Sequence, residues 1–174
     1  MKIDYLQALK RIPEARGAWI LHGQEPLLEQ NLLDAFRKSW QQQEVERQRY
    51  DISSVSDWKN VFNALNSLSL FSQQLAIEVH GNIKPDANGL KQLKSYIQHN
   101  ENNLLLIVLP KQDSSSLKSA FFQVVEANGV VVALTANYPQ DRQRILSAEA
   151  EKLEIQLDND AWQWLSHCHA SLSS

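Results

Sequence analysis

The sequence predicts an α/β fold: a mostly parallel sheet with helices covering both of its faces. Three observations carry that prediction. Apolar runs of strand length alternate with stretches of helical period along most of the chain. One run, "LLLIVL" at Leu104–Leu109, has no in–out alternation, as expected of a central strand buried on both sides. Near the N-terminus a strand, a glycine turn and a helix follow one another in "AWILHGQEPLLEQNLL".

The expected strands are Trp19–His22, Gln48–Ile52, Leu75–Val79, Leu104–Leu109 and Val130–Leu134. Between the first two, Leu28, Leu32, Phe36 and Trp40 recur at helical spacing. Trp58, Val61, Phe62 and Leu65 do the same, with Asp57 expected to cap that helix. Leu90, Leu93 and Ile97 mark a further helix. After "TANYPQD" the pattern becomes wholly helical: Ile145, Leu146, Glu149, Ala150 and Leu153 form one stripe, and Trp162, Leu165 and His169 begin another. The expected division is therefore an α/β domain over 1–138 and the start of a small helical domain over 139–174.

Composition narrows the function. The 174 residues are 43% hydrophobic and 21% charged, ordinary for a globular chain, and the formal net charge of −3 argues against a cationic nucleic-acid binder acting alone. A single cysteine, Cys168, excludes an internal disulfide and suits a reducing compartment. The charged N-terminal stretch is unlike a signal peptide, and Leu104–Leu109 is far too short to cross a bilayer. A soluble, cytoplasmic protein without a membrane partner is expected.

The glycine turn stands where a P-loop would. Over the pattern G-x-x-x-x-G-K-[ST] the chain keeps only Gly23; Leu28, Glu29 and Gln30 replace the second glycine, the lysine and the hydroxyl. A working P-loop cradles phosphates with glycine-rich backbone, a lysine on the β/γ-phosphates and a hydroxyl on Mg²⁺. Leu28 would crowd that cradle and Glu29 would repel its ligand. No acidic pair follows "LLLIVL", where Pro110, Lys111 and Gln112 come next. A tight strand-to-helix turn, with Pro26 in the first helical turn, is the preferred reading.

Other motifs say less. In "HCH", His167–His169, successive helical side chains diverge by about 100° and cannot close on one metal ion. Ser53–Ser56 and Ser114–Ser116 lack the flanking glycines of a nucleophile elbow and fall where loops are expected. His22 and His80 end expected strands without an obvious carboxylate partner in sequence. No catalytic residue, metal site or cofactor is assigned.

"NSLSLF", Asn66–Phe71, is different. It continues the Trp58 helix past its apolar stripe and leaves Leu70 and Phe71 adjacent, so both cannot extend that stripe. From the residues alone, the pair is either a hydrophobic cap on the sheet edge or an exposed anchor for a partner's pocket.

Taken together, these motifs resemble the delta-subunit family of the bacterial DNA polymerase III clamp loader, over essentially the whole chain. "LHGQEPLLEQNLLDAFR" is similar to that family's turn and helix, "DWKNVFNALNSLSLF" to its clamp-docking segment, and "LLLIVLPK" with "SLKSAFFQVVEANGVVVAL" to its later strand, helix and final strand. The resemblance implies an AAA+-like sheet with a degenerate P-loop, followed by a lid-like helical domain. It implies a clamp-binding element of Asn66, Leu68, Ser69, Leu70 and Phe71, with Asn66 where some relatives carry glutamine. It implies a non-catalytic role within the DNA-directed DNA polymerase (nucleotidyltransferase) complex: docking on the sliding clamp, the beta subunit, and favouring its open ring. ATP would act through the gamma/tau and delta prime subunits, and DNA would be met only in the assembled complex. Lacking the family's collar domain, the chain is expected to bind the clamp without assembling a stable loader. The competing reading is an unrelated doubly wound domain holding a small ligand or nucleotide at the carboxyl ends of its strands, although the chain has only five glycines and no G-x-G.

Overall fold

The computed structural model describes residues 1–68, 74–99 and 102–134, with the side chains of residues 67 and 68 left out. In chain order its elements are β1 (Lys2–Ile3), α1 (Tyr5–Arg11), a 3₁₀ turn (Ile12–Glu14), β2 (Gly17–Gly23), α2 (Pro26–Gln42), β3 (Glu46–Asp51), α3 (Asp57–Leu68), β4 (Leu75–His80), α4 (Ala87–His99), β5 (Leu104–Leu109), α5 (Ser114–Leu117), α6 (Ala120–Asn128) and β6 (Val130–Leu134). The expected helical residues 139–174, with Cys168 and His167–His169, lie outside the described residues.

The six strands form one parallel sheet in the order β1-β6-β2-β5-β4-β3. β5 sits between β2 and β4 and is buried along its whole length, as its unbroken apolar run requires. Its register aligns Ala18 with Leu105 and Ile20 with Ile107, so residues of the two strands share faces. β3, at one edge, alternates partly buried Gln48 and Tyr50 with exposed Arg47 and Arg49, the pattern of a half-covered strand.

Helices cover the two faces unequally. Ala18, Ile20, Ile77, Val79, Leu105 and Ile107 point to one face and pack against α3, α4 and α6 through Trp58, Phe62, Leu93, Phe121 and Phe122. Trp58 stacks on Phe62 at 6.0 Å, and Phe121 meets both Trp58 and Phe122 edge-on. On the opposite face α2 buries Leu28, Leu32, Phe36 and Trp40, the stripe read from the sequence, with Phe36 edge-on to Trp19 at 5.4 Å. Fully burying such a side chain contributes about 1.5–3 kcal/mol, so the two stripes account for much of the cohesion between the layers.

Several expectations change. β1 and α1 lay unread in the N-terminal stretch because a two-residue edge strand leaves no periodicity; α1 nonetheless carries a capping box between Asp4 and Gln7. Asp57 is the first residue of α3, not its cap. Its carboxylate accepts the Ser53 and Ser54 N–H groups, at 2.8 and 3.0 Å, and so closes the turn leading into the helix. These backbone hydrogen bonds hold its carboxyl below the ordinary value. Ser114–Ser116 belong to the short helix α5, not a loop, because Asp113 caps it by accepting the Ser116 N–H at 2.7 Å.

Candidate functional site

The P-loop-like turn joins β2 to α2. Gly23 ends β2 with φ +149°, and a Cβ there would stand 2.4 Å from the Leu134 carbonyl oxygen. The glycine is therefore required by its parallel neighbour β6, whose Leu134 is its register partner. Pro26 occupies the first turn of α2, as its fixed φ favours. Leu28 is 3% exposed and belongs to the apolar stripe of α2. Glu29 lies in the first turn, and Gln30 donates to Asp34 one turn on, at 2.8 Å. The turn thus presents an acid, an amide and a packed leucine where phosphate chemistry needs a lysine and a hydroxyl.

β4 ends Glu78-Val79-His80 at the same carboxyl edge of the sheet. Glu78 is fully buried on the α2 face. Arg47 of β3 donates to its Oε2 at 3.0 Å, and Arg37 of α2 to its Oε1 at 3.2 Å. His80 Nε2 stands 3.6 Å from the same carboxylate, within ion-pair range though beyond hydrogen-bond length. Burial by itself would push the Glu78 carboxyl up; its interactions with His80, Arg37 and Arg47 outweigh that and hold it at about 2. Glu78 is thus neutralised by structural partners and is unsuited to act as a base or metal ligand.

His80 therefore does have a carboxylate partner, which sequence reading missed. The signal was present: a lone glutamate inside the apolar run "LAIEVH" demands a buried cation. His22, at the end of β2, instead packs edge-on against Phe122 at 5.5 Å. Burial, assisted by the charge of Lys2, lowers its pKa and disfavours the charged form.

The third feature is α3. Its buried stripe of Trp58, Val61, Phe62 and Leu65 matches the sequence reading, and Trp58 Nε1 donates to the Ile83 carbonyl at 2.9 Å, tying the helix to the β4–α4 connection. Asn66 is exposed near its end. Leu68 is the last residue of α3, while Ser69, Leu70 and Phe71 lie outside the described residues. Among the described residues no group of three or more His, Cys, Asp or Glu side chains is placed to hold a metal ion. Nor is any described helix long and apolar enough to cross a membrane.

A parallel sheet in this strand order, with a P-loop position stripped of its lysine and hydroxyl, defines an AAA+-like module of α/β class. Similar folds include the Bacillus subtilis DNA clamp loader delta protein (YqeN), with a TM-score of 0.64 at 11% identity over 92% of this chain and 51% of that one. Trip13 of Rhizobiales shares the fold at a TM-score of 0.53 and 8% identity, over 91% of this chain and 59% of the other. The family model for the DNA polymerase III delta subunit matches residues 19–135. DNA polymerase III subunit delta of Escherichia coli K12 is 31% identical over 158 residues, covering 88% of this chain and 46% of that protein. The chain belongs to the DNA polymerase III delta-subunit family, and it spans about half the length of the curated relative it matches.

Proposed function

We propose that this chain is the clamp-binding part of a clamp-loader delta subunit and acts mechanically, without hydrolysing ATP. Leu70 and Phe71 enter a hydrophobic pocket on the sliding clamp, with Asn66, Leu68 and Ser69 beside them. Docking favours the open ring only in so far as this surface binds the open form more tightly than the closed one. ATP acts through the gamma/tau and delta prime subunits, and DNA is engaged within the assembled complex. Residues 1–138 form the docking domain and residues 139–174 begin a helical, lid-like one.

The observation that carries this reading, beside family membership, is the completeness of α3's buried stripe before Asn66. Trp58, Val61, Phe62 and Leu65 supply a face that packs on the sheet, and Leu70 and Phe71, adjacent in sequence, cannot both continue it. The turn at Gly23 supports the non-catalytic half, since its glycine serves packing on Leu134.

The test is calorimetry of the chain with its own organism's sliding clamp, beside a Leu70→Ala/Phe71→Ala double variant. Anchors of this kind each carry on the order of 2 kcal/mol, so the double variant is expected to lose nearly all affinity while melting as the parent does. Failure of the intact chain to bind, or equal binding by the variant, would overturn the proposal.

A further inference from the structure

We infer that the connections after β4 and β5 form a binding pocket for a phosphate group carried on a larger molecule, separate from the P-loop-like turn. An open cavity of about 520 Å³ lies there, lined by Asn82 and Lys84 after β4 and by Lys111, Gln112, Ser115 and Ser116 after β5. None of its lining residues comes from the β2–α2 turn. The volume far exceeds that of one phosphate ion, so the pocket has room for what carries the group.

The lining chemistry is that of an oxyanion site. Lys84 is held in place from two sides: its ammonium stands 5.6 Å above the Phe122 ring and donates to the Ser116 hydroxyl. It also donates to the Ser116 carbonyl at 3.5 Å, which leaves one of an ammonium's three donors for a ligand. Lys111 is exposed at the rim. Gln112 bridges the two connections, donating to Asn82 Oδ1 at 3.1 Å and accepting from Ser116 Oγ at 2.6 Å. The one acid in the lining, Asp113, already accepts the Ser116 N–H and the Ser115 hydroxyl. Two lysines thus face one occupied carboxylate, a local excess of positive charge in a chain whose formal net charge is −3.

Ser119 adds a second, independent sign. It is the N-cap residue of α6, yet its side chain makes no capping hydrogen bond. Ser119 lines the cavity, and its buried Oγ has no hydrogen-bond partner among the described residues. An uncapped start to a nine-residue helix, beside two lysines, favours negative charge through the helix dipole and its unpaired N–H groups.

The experiment is amide NMR of the chain titrated at constant ionic strength with inorganic phosphate, glycerol 3-phosphate and a short oligonucleotide. Saturable shifts confined to residues 111–122 and 82–84 are expected, and the tightest of the three probes identifies the carrier. Lys111→Glu, a substitution at an exposed position, is expected to weaken that probe about tenfold, the equivalent of one charge-assisted contact. Lys84→Met, which keeps the stem over Phe122, is expected to weaken it as well, whereas Glu29→Gln at the P-loop-like turn leaves it unchanged. Absence of saturable shifts there with every probe, or equal binding by Lys111→Glu, would overturn the inference. So would shifts centred on the β2–α2 turn.

Discussion

The two faces of the sheet are built by different means. The face under α3, α4 and α6 is closed mainly by apolar and aromatic side chains, from Trp58 and Phe62 to Leu93, Phe121 and Phe122. The face under α2 has its own apolar stripe, but a fully buried glutamate lies within it, bound to one arginine of the helix and one of the edge strand. The difference teaches where each face takes its specificity. Apolar packing and the Trp58–Ile83 hydrogen bond position α3, whereas α2 is tied at one point to β4 and β3 by charge. A buried ion pair adds little net stability over an apolar substitute, yet breaking it by removing one partner is costly. Through Glu78, the α2 face is accordingly sensitive to acid.

The largest effects should come from removing one component on each side. Phe121→Ala is expected to cost about 3–5 kcal/mol through the cavity it leaves. Glu78→Ala is expected to cost about 3 kcal/mol, the low end for an orphaned buried pair. Arg37 and Arg47 side chains are 30% and 40% exposed and regain water when freed. Urea unfolding at neutral pH measures both, and a cost for Glu78→Ala near zero would dissolve the contrast between the faces.

Acid sharpens it. The Glu78 carboxyl titrates at about 2 in the fold against an ordinary value of 4.5. Its folded-state pKa is depressed, so its contribution is complete above the unfolded value and is lost as pH falls through 4.5 towards 2. The loss is on the order of 3 kcal/mol at most. Glu78→Gln should flatten this part of the stability–pH curve, while Phe121→Ala should retain it in full. Equal acid sensitivity in all three proteins would place the titrating group elsewhere.

Two smaller effects probe how the faces are joined at the carboxyl edge. Gly23→Ala pushes a methyl group to 2.4 Å from the Leu134 carbonyl oxygen and should cost about 1–3 kcal/mol in thermal or urea unfolding. Stability unchanged by that substitution would mean that β6 yields easily. Trp58→Phe shrinks the buried indole to a phenyl ring and leaves the Ile83 carbonyl without its 2.9 Å partner, and should cost about 1–3 kcal/mol. Because Trp58 lies in the first turn of the helix that leads to Asn66, the same variant shows whether seating α3 matters to the proposed docking.

Much of the architecture was legible because it repeats. Leu28, Leu32, Phe36 and Trp40 declare one helix face, and Leu104–Leu109 was matched to the residue because every residue of that doubly buried strand is apolar. The absence of a P-loop's second glycine, lysine and hydroxyl at Leu28, Glu29 and Gln30 was equally plain, since residue type alone decides it. What sequence alone determined is thus the local: period, turn chemistry, and which functional groups are missing. The tertiary structure decided the rest. Arg37 and Arg47 meet Glu78 across separations of 41 and 31 residues, and Gly23 owes its place to Leu134, its partner on a neighbouring parallel strand. The pocket after β4 and β5 likewise exists only because two connections distant in sequence end side by side. Pattern reading registers neighbours along the chain, whereas in a parallel sheet the carboxyl ends of separate strands converge only once the strands pair.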